Sequence, residues 1–230
     1  MRHRIHVPSI EPKTRVEGDE FHHSVRVVRL REGEEVELFD RSGASVRGVV
    51  ETLARDHAVI VAGAPLQSRE SPLDLHLAMA VIQLEKFELV LQKATELGVR
   101  SIIPLVADRG EVRPERYSGK MERWEKIVFE AVKQSGRTRV PAIAAPARFA
   151  DVAALEGLKI VFDADESPRE LPKVTKATLM IGPEGGWSEE ELHAAREREC
   201  FFQRLGPRRL RAETAAIAAM TVISSRFGDL

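Results

Sequence analysis

The sequence predicts a two-part chain, a small β-barrel or sandwich followed by a larger α/β domain built on a mainly parallel sheet. Three observations lead there. The first sixty or so residues carry short alternating runs separated by turn chemistry. A Pro-rich stretch, Ala64-Pro65 to Ser71-Pro72, then changes the texture. From residue 73 onward apolar strands alternate with amphipathic helices, the pattern of a parallel sheet covered on both faces. Boundaries follow at 1–68 and 73–230, and 230 residues supply core enough for both parts.

In the first part the runs Glu35 to Phe39, Val46 to Thr52 and Ala58 to Ala62 predict strands, separated by Asp40-Arg-Ser-Gly43 and Arg55-Asp-His57. Phe21, Val25 and Val28 recur at helical spacing and predict a helix over Asp19 to Leu30. In the second part strands are expected at Leu75 to Ile82, Ser101 to Val106, Leu158 to Phe162, Ala177 to Ile181 and Cys200 to Leu205. One helix shows an apolar face of Leu84, Phe87, Val90, Leu91, Ala94 and Leu97 and stops at Gly98. Another presents Met121, Trp124, Ile127, Val128, Ala131 and Val132 and ends near Gly136. Ser188 followed by Glu191 forms a capping box that starts a third. The last helix, residues 214–227, is so uniformly small and apolar that burial on all sides is expected.

Composition excludes several classes. With 43% apolar and 31% charged residues and a net charge of −1, the chain is neither disordered nor globally basic. No run approaches the roughly 18 apolar residues of a membrane span, and the start lacks a signal peptide's apolar core, so a cytosolic location is expected. A single cysteine, Cys200, precludes an internal disulfide and any multi-cysteine metal site, and suits an apolar filler beside Phe201 and Phe202. The adjacent His22 and His23 point apart on a helix and have no evident third ligand, so no metal is expected.

Two stretches carry chemistry. In "MIGPEGGWSEEEL", Met180 to Leu192, a strand stops at Gly-Pro and a glycine-rich turn leads into a capped helix. Such turns often cradle phosphate, but Glu184 lies inside this one and Glu189, Glu190 and Glu191 fill the first helical turn. A polyphosphate would meet carboxylates where it needs donors. Neither GxGxxG nor GxxxxGK[ST] is present, so a dinucleotide enzyme is disfavoured. A cationic or hydroxyl-rich ligand and a turn that merely launches the helix remain the two readings. Trp187 could stack a base or pack inside. In "LGPRRLRAETAAIAAM", Leu205 to Met220, a second strand ends in Gly-Pro, and an arginine cluster precedes the alanine-rich helix.

Together, "IGPEGGWSEEEL" and "LGPRRLRAETA" resemble the paired C-terminal motifs of the RsmE family of SPOUT methyltransferases. Other landmarks occur in order: "FHHSVRVVRLREGEEVELFD", "QKATELGV" and "RWEKIVFEAVKQSGR". The resemblance spans nearly the whole chain and departs from the family at Ile5-His6, where an aromatic is usual. It implies a PUA-like RNA-binding barrel followed by a domain tied in a trefoil knot, which pattern reasoning would not propose. It also implies a homodimer, S-adenosylmethionine as cofactor, and methylation of N3 of a uridine in 16S ribosomal RNA, free or within the 30S subunit.

Carried onto this sequence, the resemblance gives the cofactor site as Ile181, Gly182, Pro183, Glu184, Gly185, Gly186, Leu205, Gly206, Leu210, Thr214 and Ala215. Arg211 is the candidate donor that stabilises charge developing on the uracil. Glu213 is a candidate proton acceptor that could equally cap the last helix or pair with Arg209 or Arg211. For RNA the candidates are Arg2, Arg4, His22, His23, Arg26, Arg29, Lys133 and Arg137. Nine acids balance nine Lys and Arg in the first fifty residues, so a solvated face competes with that reading. A non-catalytic RNA-binding or ribosome-assembly factor is the alternative, opposed by the intact glycine loops.

Overall fold

The computed structural model of the chain describes residues 3–25 and 29–230. They form two compact units, Met1–Glu70 with Val132–Val140, and Ser71–Ala131 with Pro141–Leu230.

The first unit is a five-stranded sheet of β1 (His3–His6), β2 (Lys13–Glu17), β3 (Glu35–Phe39), β4 (Ser45–Leu53) and β5 (His57–Pro65), in the order β1-β3-β4-β5-β2. The β1/β3 pair is parallel and the remaining pairs are antiparallel. β2 falls outside the predicted strands, because its sequence Lys-Thr-Arg-Val-Glu is dominated by charge. Its pleat nevertheless alternates, with Thr14 and Val16 inward and the charges outward. Ile5, Val16, Val36, Leu38, Val50 and Ile60 share one core with Phe21 of the short helix α1 (Gly18–His23). Val28, Arg2 and Arg26 lie outside the described residues, as does the side chain of His23.

Segment 132–140 joins this unit through ion pairs, and that changes the meaning of several basic residues. Arg137 is buried and donates to both carboxylate oxygens of Glu70, at 2.7 Å for the shortest contact. Glu70 also accepts from the Thr138 and Arg139 amides. Arg4 donates to the carbonyls of Val132, Lys133 and Arg137, pairs with the buried Glu37 at 3.2 Å, and lies 4.3 Å over the Phe39 ring. Lys133 pairs with Glu20 at 3.4 Å. Arg4, Lys133 and Arg137, expected as RNA contacts, therefore commit their charges within the protein. The reason is desolvation: a buried guanidinium is tolerable only when paired. Replacing Glu70 with alanine should strand Arg137 and two amides, costing about 3–5 kcal/mol. Urea unfolding monitored in this unit checks it; a loss below about 1 kcal/mol would contradict the role.

The second unit is a seven-stranded sheet: β6 (Asp74–Ala80), β7 (Ser101–Val106), β8 (Ala142–Ile143), β9 (Ala147–Arg148), β10 (Leu158–Phe162), β11 (Lys176–Ile181) and β12 (Phe201–Gln203). Six run in the order β12-β10-β11-β6-β7-β8, β9 also pairs with β7, and every pairing is parallel. Because all strands share one direction, their carboxyl ends gather at one edge of the sheet, where open α/β sheets bind ligands. The helices are α2 (Leu84–Glu96), α3 (Met121–Ser135), α4 (Phe149–Ala153), α5 (Glu189–Glu197) and α6 (Ala212–Phe227). The predicted strand at Cys200 to Leu205 is shorter than expected, since Gly206 and Pro207 leave the sheet early and only Phe201–Gln203 pair.

α6 differs from the expectation of all-round burial. It packs on α2 and β11 through Ala212, Ala216, Ala219, Met220 and Ile223, whereas Thr214, Thr221, Val222 and Ser225 are exposed. Its small residues cover both faces of the helix, but this chain alone buries only one. No helix among the described residues is long and apolar enough to cross a membrane.

Candidate active site

Four loops leave the carboxyl edge of the second unit's sheet and enclose a cleft of about 720 Å³. They follow β7 (Arg109), β10 (Asp163 to Glu166), β11 (Gly182 to Trp187) and β12 (Arg204 to Leu210), and the start of α6 adds Arg211, Ala212 and Ala215. The first Gly-Pro turn, Gly182-Pro183, and the residues on either side of the second, Leu205 and Arg208 to Leu210, distant along the chain, thus line one cavity.

The β11 loop has this shape because of Trp187. Its indole is 4% exposed, donates from Nε1 to the Phe162 carbonyl at 3.0 Å, and meets Phe149 edge-on at 4.9 Å. Trp187 therefore packs inside rather than offering a free stacking face. A β-carbon at residue 182 would lie 3.1 Å from the indole Cε2, so any side chain there would crowd the ring over which the strand turns. Gly186 holds φ +70°, a left-handed conformation that closes the turn.

The capping box is present and larger than expected. The Ser188 hydroxyl accepts from the Glu191 amide at 3.1 Å, and Glu191 Oε2 accepts from the Ser188 amide at 2.8 Å. Glu191 Oε1 also accepts from the Asp108 amide at 3.0 Å, while Ser188 Oγ donates to Asp108 Oδ2 at 2.6 Å. One buried cap thereby fixes the β7 loop against the β11 loop. Burial pushes the Glu191 carboxyl above its usual value, against the two amide donors that favour the charged form. A folded-state value raised from 4.5 means that the neutral-acid stability present below 4.5 is lost as pH climbs through the interval above it. Glu191→Gln keeps a capping side chain without the charge. The stability of the native chain relative to that variant should decline across this interval in pH-dependent urea titrations; a constant difference would contradict the assignment.

Among the predicted cofactor residues, Ile181, Gly182, Pro183, Glu184, Gly185, Gly186, Leu205, Leu210 and Ala215 line the cleft. Gly206 and Thr214 do not. Thr214 is exposed on α6, while Gly206 acts through its backbone, φ +140°, in turning the chain after β12. Arg211 lines the cleft and is exposed; its carbonyl accepts from the Ala215 amide at 2.8 Å, while its guanidinium has no hydrogen bond or ion pair among the described residues. Glu213 lies off the cleft wall in the first turn of α6, with Oε2 buried and unpartnered among the described residues. His22 and Arg29 belong to the first unit, where both are exposed.

Sequence reasoning missed Arg109, Asp163, Asp165 and Glu166. They sit on featureless loops, and the available signal was positional: each follows a strand of a parallel sheet, at its carboxyl end. Two ion pairs fasten these loops, Arg209 to Asp165 at 2.7 Å and Arg196 to Glu166 at 3.3 Å. Among the described residues no cluster of His, Cys, Asp or Glu is arranged to hold a metal ion.

The cleft suits an adenosyl group. Ile181, Leu205, Leu210 and Ala215 give apolar walls, the glycines let main chain approach closely, and Asp163 and Glu184 supply negative charge.

Comparison with known proteins agrees. A model of the RNA methyltransferase domain matches residues 69–224, and one of the RNA methyltransferase PUA domain matches residues 16–62. Ribosomal RNA small subunit methyltransferase E of Bacillus subtilis is 31% identical, over 93% of this chain and 90% of its own. A protein of the same name from Neisseria gonorrhoeae, crystallised bound to S-adenosyl methionine, is similar with a TM-score of 0.88, 28% identity, and coverage of 99% of this chain and 98% of its own. A Legionella pneumophila structure in complex with bound cofactor SAM gives a TM-score of 0.86 at 33% identity, covering all of both chains. Two domain models in the expected order, and relatives matched over almost their full length, place the chain in the ribosomal RNA small subunit methyltransferase E family.

Proposed function

We propose that this chain methylates N3 of a uridine in small-subunit ribosomal RNA, using S-adenosylmethionine held in the cleft at the carboxyl edge of the second unit. The observation that carries the reading is the convergence of the Gly182–Gly186 and Leu205–Leu210 loops on one cavity with Arg211 in its wall. When bound, the cofactor supplies an electrophilic methyl group.

The chain's own residues hold and polarise the reactants. Ile181, Leu205, Leu210 and Ala215 enclose the adenosyl part, and Asp163 and Glu184 offset positive charge. Uridine N3 carries a proton, which it gives up to solvent at the open cleft before its lone pair takes the methyl, and that loss spreads negative charge onto O2 and O4. Arg211, with all its donors available, is positioned to hydrogen-bond those oxygens and stabilise that charge. Glu213 supports a different part: an acid in the first turn of α6 favours the helix terminus that carries Arg211.

The homodimer and the trefoil knot implied by the resemblance belong to this reading. The exposed Thr214, Thr221, Val222 and Ser225 face of α6, small and mostly uncharged, supports a second copy as its cover. RNA binding falls to exposed groups such as Arg29 and His22. Mapping methylated bases in ribosomal RNA from cells with and without the gene tests the function, the expected difference being one uridine in the small-subunit RNA. Titration calorimetry tests the cofactor: S-adenosylmethionine and S-adenosylhomocysteine should bind and NAD should not. Binding of NAD alone would overturn the reading.

A further inference from the structure

The cleft holds more positive charge than its cofactor can use. Six arginines line it: Arg109, Arg196, Arg204, Arg208, Arg209 and Arg211. Arg196 and Arg209 are paired with Glu166 and Asp165, but the other four have no carboxylate partner among the described residues. Elsewhere the protein pairs its arginines readily, as in Arg123 with Glu88 at 2.6 Å, Arg137 with Glu70 and Arg4 with Glu37. Asp163, Glu184 and Glu189 line the same cleft and leave these four unpaired. S-adenosylmethionine carries a sulfonium and an ammonium against one carboxylate, so it engages one guanidinium at most in a bidentate pair. Arg211 faces the base in the function proposed above.

Of the other three, Arg204 is half-buried with its Nε enclosed, whereas Arg109 and Arg208 are exposed, on loops from opposite parts of the chain. Arg208 makes no side-chain hydrogen bond among the described residues. Arg109 gives only Nη1 to the Gly185 carbonyl at 3.3 Å, leaving its other donors unused. Its position is nonetheless fixed. The preceding residue, Asp108, is anchored through its amide to Glu191 and through its carboxylate to Ser188. The Arg109 Cβ and carbonyl also lie close over Gly185, where an added β-carbon would meet them at 3.1 and 3.3 Å. A rigidly launched guanidinium with idle donors suits a doubly accepting anion.

We propose that Arg109 and Arg208 seat a backbone phosphate of the RNA beside the uridine being methylated. N3 lies on the pairing edge of the base, so the nucleotide must be unpaired and turned out of its stack to reach the cleft. Its phosphates then come to the cleft mouth, and gripping one fixes the sugar and hence the base. The two arginines are positioning residues, and the proposal rests on the methyltransferase reading.

The test uses the full chain and small-subunit RNA, with Arg109→Gln and Arg208→Gln singly and together. S-adenosylhomocysteine affinity should stay within about twofold of the native chain. The KM for RNA should rise about tenfold or more in the double variant. The slope of log affinity for RNA against log salt should become shallower by about 0.7 for each single-strand phosphate that a variant no longer grips. Arg109→Lys should recover most of the slope while recovering less of KM, because it restores charge without the fork. Weakened S-adenosylhomocysteine binding with an unchanged salt slope would overturn the proposal and assign these arginines to the cofactor carboxylate. No change in KM or slope would overturn it outright. Failure of the native chain to methylate small-subunit RNA would instead sink the reading on which it rests.

Discussion

Arg211→Ala should lower kcat by about 10²–10³ while changing S-adenosylmethionine affinity less than threefold. The magnitude is that of removing one donor to a developing oxyanion. The asymmetry between turnover and binding follows from what Arg211 touches. Its guanidinium has no protein partner among the described residues, so its removal strands no buried acid and opens no core cavity. As N-cap of α6 it contributes no side-chain cap, and alanine there leaves the helix start intact. Single-turnover methyl transfer to small-subunit RNA measures the first quantity and calorimetry the second. Equal loss of both would show that Arg211 holds the cofactor rather than the base.

Gly182→Ala should have the second large effect, on stability and cofactor binding together. The new methyl would press on the Trp187 indole at 3.1–3.2 Å, and the ring cannot retreat. Its Nε1–H is bonded to Phe162 and its edge is held by Phe149. Overpacking of this kind costs about 1–3 kcal/mol. Any relief obtained by shifting the β11 loop moves Pro183 and Glu184 off their places in the cleft wall, weakening S-adenosylmethionine about tenfold or more. Gly186→Ala is the control. It has open space around the added carbon and suffers only from its positive φ, so its cost should stay at about 1–2 kcal/mol with cofactor affinity little changed. If both substitutions proved equally mild, the indole would not be the feature that shapes the loop.

The sequence was most readable inside the parallel sheet. β7 and β10 occur at the expected residues because strands covered on both faces are continuous apolar runs. α5 begins at the expected place because Ser188 and Glu191 encode the cap themselves. Reading failed where structure depends on partners elsewhere. β1, with its sequence His-Arg-Ile-His, and the two-residue β8 and β9 have no periodicity of their own, and exist by pairing with β3 and β7. A like failure affected charge. Arg4 and Arg137 look like exposed cations in a basic segment, yet Glu37 and Glu70, remote in sequence, draw them inside.

At the cleft, the two glycine-proline turns were legible as unusual chemistry and brought out nine of its lining residues. Arg109 and the acids from Asp163 to Glu166 were invisible, since one short loop resembles another until the sheet order is known. The limit is physical: local sequence encodes caps and turns, whereas the gathering of four strand ends is a property of topology. The final helix shows the same limit. Its composition demands cover on both faces, and one chain provides cover for one.

The most direct measurement is a crystal structure of the chain grown with S-adenosylhomocysteine. The adenosyl group is expected between Gly182–Gly186 and Leu205–Leu210, with its sulfur open toward Arg211. Density for the compound at any other site, with these loops empty, would contradict the central claim.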